Sequence, residues 1–273
     1  MASTRPPPAP LDTRSSASVD SGRRLVALLP AAVLVGLMLV LAWAYLGWMD
    51  WGMRNMEAGA DMWIMPRMVG WGAADVALVF LMWAVMMAAM MLPSALPAIL
   101  MVARVSSSLT PQYRAGVGPA VGFVAGYLLA WSSFSLIATL LQWALLEHAL
   151  VTPMMQSAKQ PLSAAILITA GLYQFTPLKN ACLSQCRSPL GLVLEVAAAP
   201  RSALSIGFRH GLHCVGCCWA LMGLLFVTGV MNLLWVIVIA MYVGLEKVLP
   251  STVWLSRGAG ILLCGAGIWL AVA

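Results

Sequence analysis

The sequence predicts an all-α fold, a polytopic bundle of transmembrane helices, and three observations carry that expectation. Of 273 residues, 62% are hydrophobic and only 9% charged, where a soluble domain carries roughly a quarter charged residues. Seven apolar runs come close to or exceed the ~20 residues needed to cross a hydrocarbon core. Lys and Arg divide unevenly between alternate connections, as they do when cytoplasmic loops collect positive charge.

Taken in order, residues 1–24 are rich in Pro, Ser, Ala and Arg with no hydrophobic period. Such a segment buries too little surface to fold and reads as a disordered tail. The runs follow near 25–47, 75–102, 118–146, 161–178, 210–229, 231–249 and 252–272, making 25–273 one transmembrane domain. The first run, after Arg23 and Arg24, imitates a secretory signal, and Ala42-Trp43-Ala44 imitates a cleavage site. Its length favours an uncleaved anchor. The fourth run is short and contains Tyr173 and Gln174, and the sixth ends in Glu246 and Lys247, so six spans is the alternative count.

With the tail inside, the inner segments hold Arg5, Arg14, Arg23, Arg24, Arg104, Arg114, Lys179, Arg187, Arg201, Arg209 and Lys247. The outer segments hold Arg54, Arg67 and Lys159. Eleven against three places the N-terminus in the cytoplasm and, with seven spans, the C-terminus outside. The net charge of +6 is spread over loops rather than gathered on one face, which argues against a nucleic-acid partner.

Two connections carry soft ligands. The outer one, 48–74, has Trp48, Trp51, Trp63 and Trp71, and the methionines Met49, Met53, Met56, Met62, Met65 and Met68. Indole rings suit the membrane interface, and the thioethers are candidates for outer metal capture. The inner one, 179–209, contains Cys182 and Cys186 and the run LGLVLEVAAAP, which reads as a surface helix.

Five of the six cysteines bracket this inner region. Cys182-Leu-Ser-Gln-Cys186 and Cys214-Val-Gly-Cys217-Cys218 both have the two-to-four-residue gap of thiolate metal sites. In a reducing compartment a metal site is favoured over disulfides. His210, His213, Cys214 and Cys217 follow the i, i+3, i+4, i+7 pattern that places four side chains on one helix stripe. Gly211 and Gly216 leave room for another segment to bring Cys182 and Cys186 near. Isolated Cys264 reads as a packing residue.

Along the second run, Met82, Met86 and Met90 are spaced by four, as are Met87 and Met91. Each set forms a thioether ladder along one helix side. Thioethers suit Cu(I) and hold hard ions poorly, so the ladders are candidates for a metal pathway, although methionine also packs ordinary cores. Pro93 and Pro97 free backbone carbonyls near its end. Glu246, Lys247 and Arg257 are costly at membrane depth unless paired, and a Glu246–Arg257 or Glu246–Lys247 pair is expected. Phosphate-loop, dinucleotide and Ser-His-Asp signatures are missing.

Four stretches, Trp83 to Pro97, Tyr173 to Pro189, His210 to Met222 and Met231 to Pro250, resemble an uncharacterised bacterial family described as predicted metal-binding integral membrane proteins. The resemblance implies a multi-pass protein of the bacterial inner (plasma) membrane that binds metal.

The residues favour Cu(I) uptake or delivery across that membrane without enzyme activity, with lipid, the metal ion and a soluble metallochaperone or second copy as partners. Structural Zn(II) on Cys182, Cys186, Cys214 and Cys217 is the alternative. A third reading is a thiol oxidoreductase using Cys214 and Cys217 from a helix N-terminus.

Overall fold

A computed structural model describes residues 13–54, 71–109, 118–150, 159–198, 202–230, 232–249 and 253–273. All regular structure among them is helical. The order is α1 (Thr13–Arg54), α2 (Ala73–Leu109), α3 (Gly118–Glu147), α4 (Gln160–Tyr173), α5 (Pro177–Arg187), α6 (Pro189–Ala198), α7 (Ala203–Gly223), α8 (Leu225–Thr228), α9 (Leu233–Val248) and α10 (Val253–Val272).

Among the described residues, five helical stretches are long and apolar enough to cross a membrane: α1, α2, α3, α7 with α8, and α10. A sixth arises if α4 and α5, bent by 63°, form one broken span. The expected sixth run gives only the 16 residues of α9, about 24 Å at ~1.5 Å per residue, short of a hydrocarbon core of ~30 Å. Leu249 is extended and caps it, as a residue before Pro250 must be. The count of seven spans is therefore not reached by these helices.

Several boundaries differ from the sequence reading, each for a local reason. Residues 13–24 are not an unstructured tail but the first turns of α1, because Ser, Ala and Arg add to an existing helix at little cost. The same helix continues to Arg54, past the start expected for the outer connection. The inner connection 179–209 is not a loop. It consists of α5, α6 and the first turns of α7. Pro177 holds Thr176 extended, and the Thr176 hydroxyl caps α5 by accepting from the Lys179 amide at 3.3 Å. Ser188, before Pro189, does the same for α6, accepting from the Gly191 amide at 3.1 Å. Prolines set the corners, and side-chain oxygens satisfy the helix starts.

The centre of the bundle is α2, with Trp83, Met86, Met87, Met90, Met91 and Leu92 fully buried. Pro93 and Pro97 lie inside it without ending it. The Trp83 indole donates to Gln142 Oε1 at 2.6 Å, tying α2 to α3. The closest backbone approach is between α3 and α7. A Cβ on Gly126 would collide with the Leu204 carbonyl, and one on Gly207 with the Phe123 carbonyl. Glycines on α4 and α10 do likewise: Gly171 faces Cys264, and Gly267 faces Ile168. Outward faces are apolar, with Leu37, Leu41, Ile137, Ile261 and Trp269 all more than half exposed.

Candidate metal centre

Cys214 lies eleven residues after the start of α7 at Ala203, in the interior of the helix. Neighbouring α2 brings Met91 to the same level, eighteen residues from both Ala73 and Leu109. The thiols are thus deep in the bundle, and the helix start expected at residue 210 falls seven residues earlier. Ala203 to Phe208 extend the helix because they are apolar and unbroken by proline. The N-terminal position that would activate a redox pair is consequently not where Cys214 and Cys217 lie.

Four thiols form a connected group. Cys217 and Cys218 both donate to the Cys214 carbonyl, at 3.1 and 2.9 Å. Cys186, reaching across from α5, comes beside Cys217. Cys214, Cys217 and Cys218 are at most 1% exposed. Cys182, one turn before Cys186, lies over Gly216, where an added Cβ would stand 2.8 Å from its sulfur. Gly216 is therefore where α5 enters, whereas Gly211 faces Ala130 and Tyr127 of α3. All six cysteines are free, and Cys264 is elsewhere, on α10 beside the Ile168 carbonyl at 3.9 Å.

Two polar groups from other helices touch the Cys214 sulfur. The Lys247 ammonium, at the end of α9, is 2.9 Å away and also donates to Ser94 Oγ at 2.8 Å. The Tyr127 hydroxyl of α3 is 3.0 Å away and also donates to the Met91 carbonyl at 3.2 Å. Five helices meet here: α2, α3, α5, α7 and α9. His210 stacks on Phe123 and Tyr127, with ring centroids 5.5 and 6.1 Å apart. His213 is half-buried one turn before Cys217.

The expected charge pairs are replaced by another. Glu246 accepts from Lys179 at 2.6 Å, from Tyr242 at 2.8 Å and from Ser256 at 2.6 Å. Lys179 also donates to Gln174, and Arg187 donates to the Glu246 carbonyl. Arg257 is exposed on α10, and Lys247 faces away toward sulfur. Glu246 thus clamps α5, which carries Cys182 and Cys186, to α9. Lys179 had counted among the cytoplasmic loop charges, yet its side chain is 0% exposed. Without Lys179 and Lys247, the expected tally of eleven charges against three becomes nine against three.

All five ladder methionines are buried, at 2% exposure or less. Met82 and Met86 line a small cavity of about 10 Å³ with Met49, Asp50 and Val230. Four residues beyond Met90 on the same stripe comes Ser94, the hydroxyl holding Lys247. One face of α2 therefore runs from this cavity to the thiols. Met49 is in α1 and buried rather than in an outer loop. Met53 is placed only as backbone of α1, and Met56, Met62, Met65 and Met68 lie outside the described residues.

Among the described residues, no three or more His, Cys, Asp or Glu side chains are arranged as a ready metal cage. A tetrahedral Zn(II) site needs four such ligands together. A soft monovalent ion, bound by thiolate and thioether sulfur, makes a smaller demand on this group. Sequence reading missed Tyr127, Ser94, Lys179, Gln174, Tyr242 and Ser256. Only Ser94, at i+4 from Met90, carried a positional signal.

Fold and site define a helical-bundle protein with a buried cluster of sulfur ligands. The chain belongs to the family described as PpoB2, copper chaperone, which matches residues 80–270, or 191 of 273 positions. That span contains all five clustered cysteines and the α2 ladders. A search of curated proteins and a search of solved structures each found no match.

Proposed function

We propose that this chain is a membrane-embedded copper carrier that holds Cu(I) between Cys186 and Cys217, with Cys182, Cys214 and Cys218 adjacent. The observation that carries the reading is the contact between Cys186 of α5 and Cys217 of α7, beside Cys214. Cysteines 31 positions apart in the chain meet where Cys217 is only 1% exposed, and thiolate is a soft donor that suits Cu(I). Membership of a copper chaperone family supports the choice of metal. Lipid-length helices with apolar outer faces support a membrane setting.

The ion would move along Met82, Met86 and Met90 from the Met49 cavity to the thiols, from weaker thioether to stronger thiolate donors. His210 and His213, nearer the start of α7, would face the side from which a soluble partner collects it. With α4 and α5 taken as one broken span, the basic bias of the connections, nine to three, supports a cytoplasmic setting for that side and the N-terminus.

Purified full-length protein, loaded with Cu(I) under reducing conditions and assayed for bound metal, tests this. The wild type is expected to retain copper through dialysis, and the Cys186→Ser/Cys214→Ser/Cys217→Ser variant to lose it. Equal copper in both would remove the site.

A further inference from the structure

Binding by sulfur does not explain why Lys247 stands at the thiol cluster, and its placement is costly. Its ammonium is led into the bundle at the end of α9 and stops at 2.9 Å from Cys214 Sγ and 2.8 Å from Ser94 Oγ. The carboxylate next to it in sequence does not neutralise it. Glu246 turns the opposite way, where its oxygen is taken by Lys179, Tyr242 and Ser256. Neighbouring side chains on one helix turn thus diverge, one anionic and paired, the other cationic and aimed at sulfur. Tyr127, the other polar contact of Cys214, is neutral and already donates to the Met91 carbonyl.

A fixed positive charge at that point affects incoming cations according to their charge. In an interior of low dielectric, its repulsion of a divalent ion is twice its repulsion of a monovalent one at the same distance. The attraction of thiolates alone would favour the divalent ion. Sulfur selects softness and cannot by itself reject Zn(II), which thiolates bind well. We infer that Lys247 is a specificity-determining residue, whose ammonium makes the thiol cluster discriminate for a monovalent soft cation and against divalent ones. Ser94 is its positioning residue, fixing the charge at the junction of the methionine stripe and the thiols. This rests on the copper-carrier reading and adds to it the basis of metal choice.

The test compares Cu(I) and Zn(II) affinities by chelator competition in full-length wild type and three variants. Lys247→Met removes charge and hydrogen bonds. Lys247→Gln removes the charge while keeping a donor for Ser94 and Cys214, which guards against a fold that fails with Met. Lys247→Arg keeps the charge. The Cu(I)-to-Zn(II) preference is expected to fall roughly tenfold or more in Met and Gln variants, through tighter Zn(II), and to stay near wild type in Arg. A wild-type ratio in the Gln variant, or an Arg variant that relaxes as Gln does, would overturn the inference while leaving the copper site standing. Wild type that binds no Cu(I) would instead sink the carrier reading, and this selectivity with it.

Discussion

Replacing Glu246 with Gln tests the clamp that holds α5 against the rest of the site. The Lys179 side chain is 0% exposed and that of Glu246 2% exposed, with Nζ and Oε1 2.6 Å apart. The Gln carbonyl can still accept from Tyr242 or Ser256, but it cannot balance the ammonium. Removing one partner of a buried pair leaves an uncompensated charge and costs about 3–5 kcal/mol. Replacing both, as Lys179→Met with Glu246→Leu, removes the charge problem but strands the hydroxyls of Tyr242 and Ser256, at about 1–3 kcal/mol each. The double variant should therefore be less stable than wild type by up to about 2–6 kcal/mol in all, a loss that comes from stranded hydroxyls rather than from a buried charge. Arg209→Gln is the control, because the Arg209–Glu195 pair is exposed at 64% and 39% and spans 3.4 Å. It should cost under about 1 kcal/mol. Denaturant titration in mixed micelles, followed by tryptophan fluorescence, measures all three. A Glu246→Gln variant no weaker than the Arg209 control would refute the clamp.

Other perturbations separate packing from chemistry. Gly207→Ala drives a methyl into the Phe123 carbonyl and should lower the unfolding free energy by about 1–3 kcal/mol of overpacking, read in the same titration. Gly216→Ala presses on the Cys182 sulfur from 2.8 Å; faster alkylation of Cys182 is expected, mapped by mass spectrometry, and an unchanged rate would place Cys182 elsewhere. Tyr127→Phe removes the hydroxyl shared by Cys214 and the Met91 carbonyl; a loss near 1 kcal/mol with altered Cu(I) affinity is expected by chelator competition. Met86→Leu with Met90→Leu should change stability by under about 1.5 kcal/mol per site but slow copper loading in stopped-flow. An unchanged loading rate would reduce these methionines to packing.

How much of this could be read from the chain depends on the kind of signal. Apolar runs located α3 and α10 to within one residue and the start of α2 to within two, because twenty contiguous hydrophobic residues override local detail, while α2 runs seven residues past its expected end at 102. Hydropathy averaging missed the corner at Thr176-Pro177, where backbone restriction starts a new helix inside an apolar stretch, whereas the run 231–249 matched α9 closely and proved only too short to span. The cysteine clusters were visible by spacing, but their depth was not: Arg201 and Arg209 made the start of α7 look like a loop. Lys179 and Lys247 misled for a related reason. Loop counting treats every Lys as solvated, whereas the partners that draw these two inward, Glu246 for buried Lys179 and Cys214 with Ser94 for half-buried Lys247, lie 67, 33 and 153 positions away. Tyr127 had no local pattern, since its role comes from where α3 crosses α7.

The central claim is that sulfur from α5 and α7 binds one monovalent copper ion. X-ray absorption at the copper edge of Cu(I)-loaded, full-length protein addresses it directly. A ligand sphere of sulfur alone, at low coordination number and lost when Cys186 and Cys217 are changed to serine, is the predicted result. A sphere dominated by nitrogen or oxygen, or a sulfur sphere unchanged by those substitutions, would contradict it.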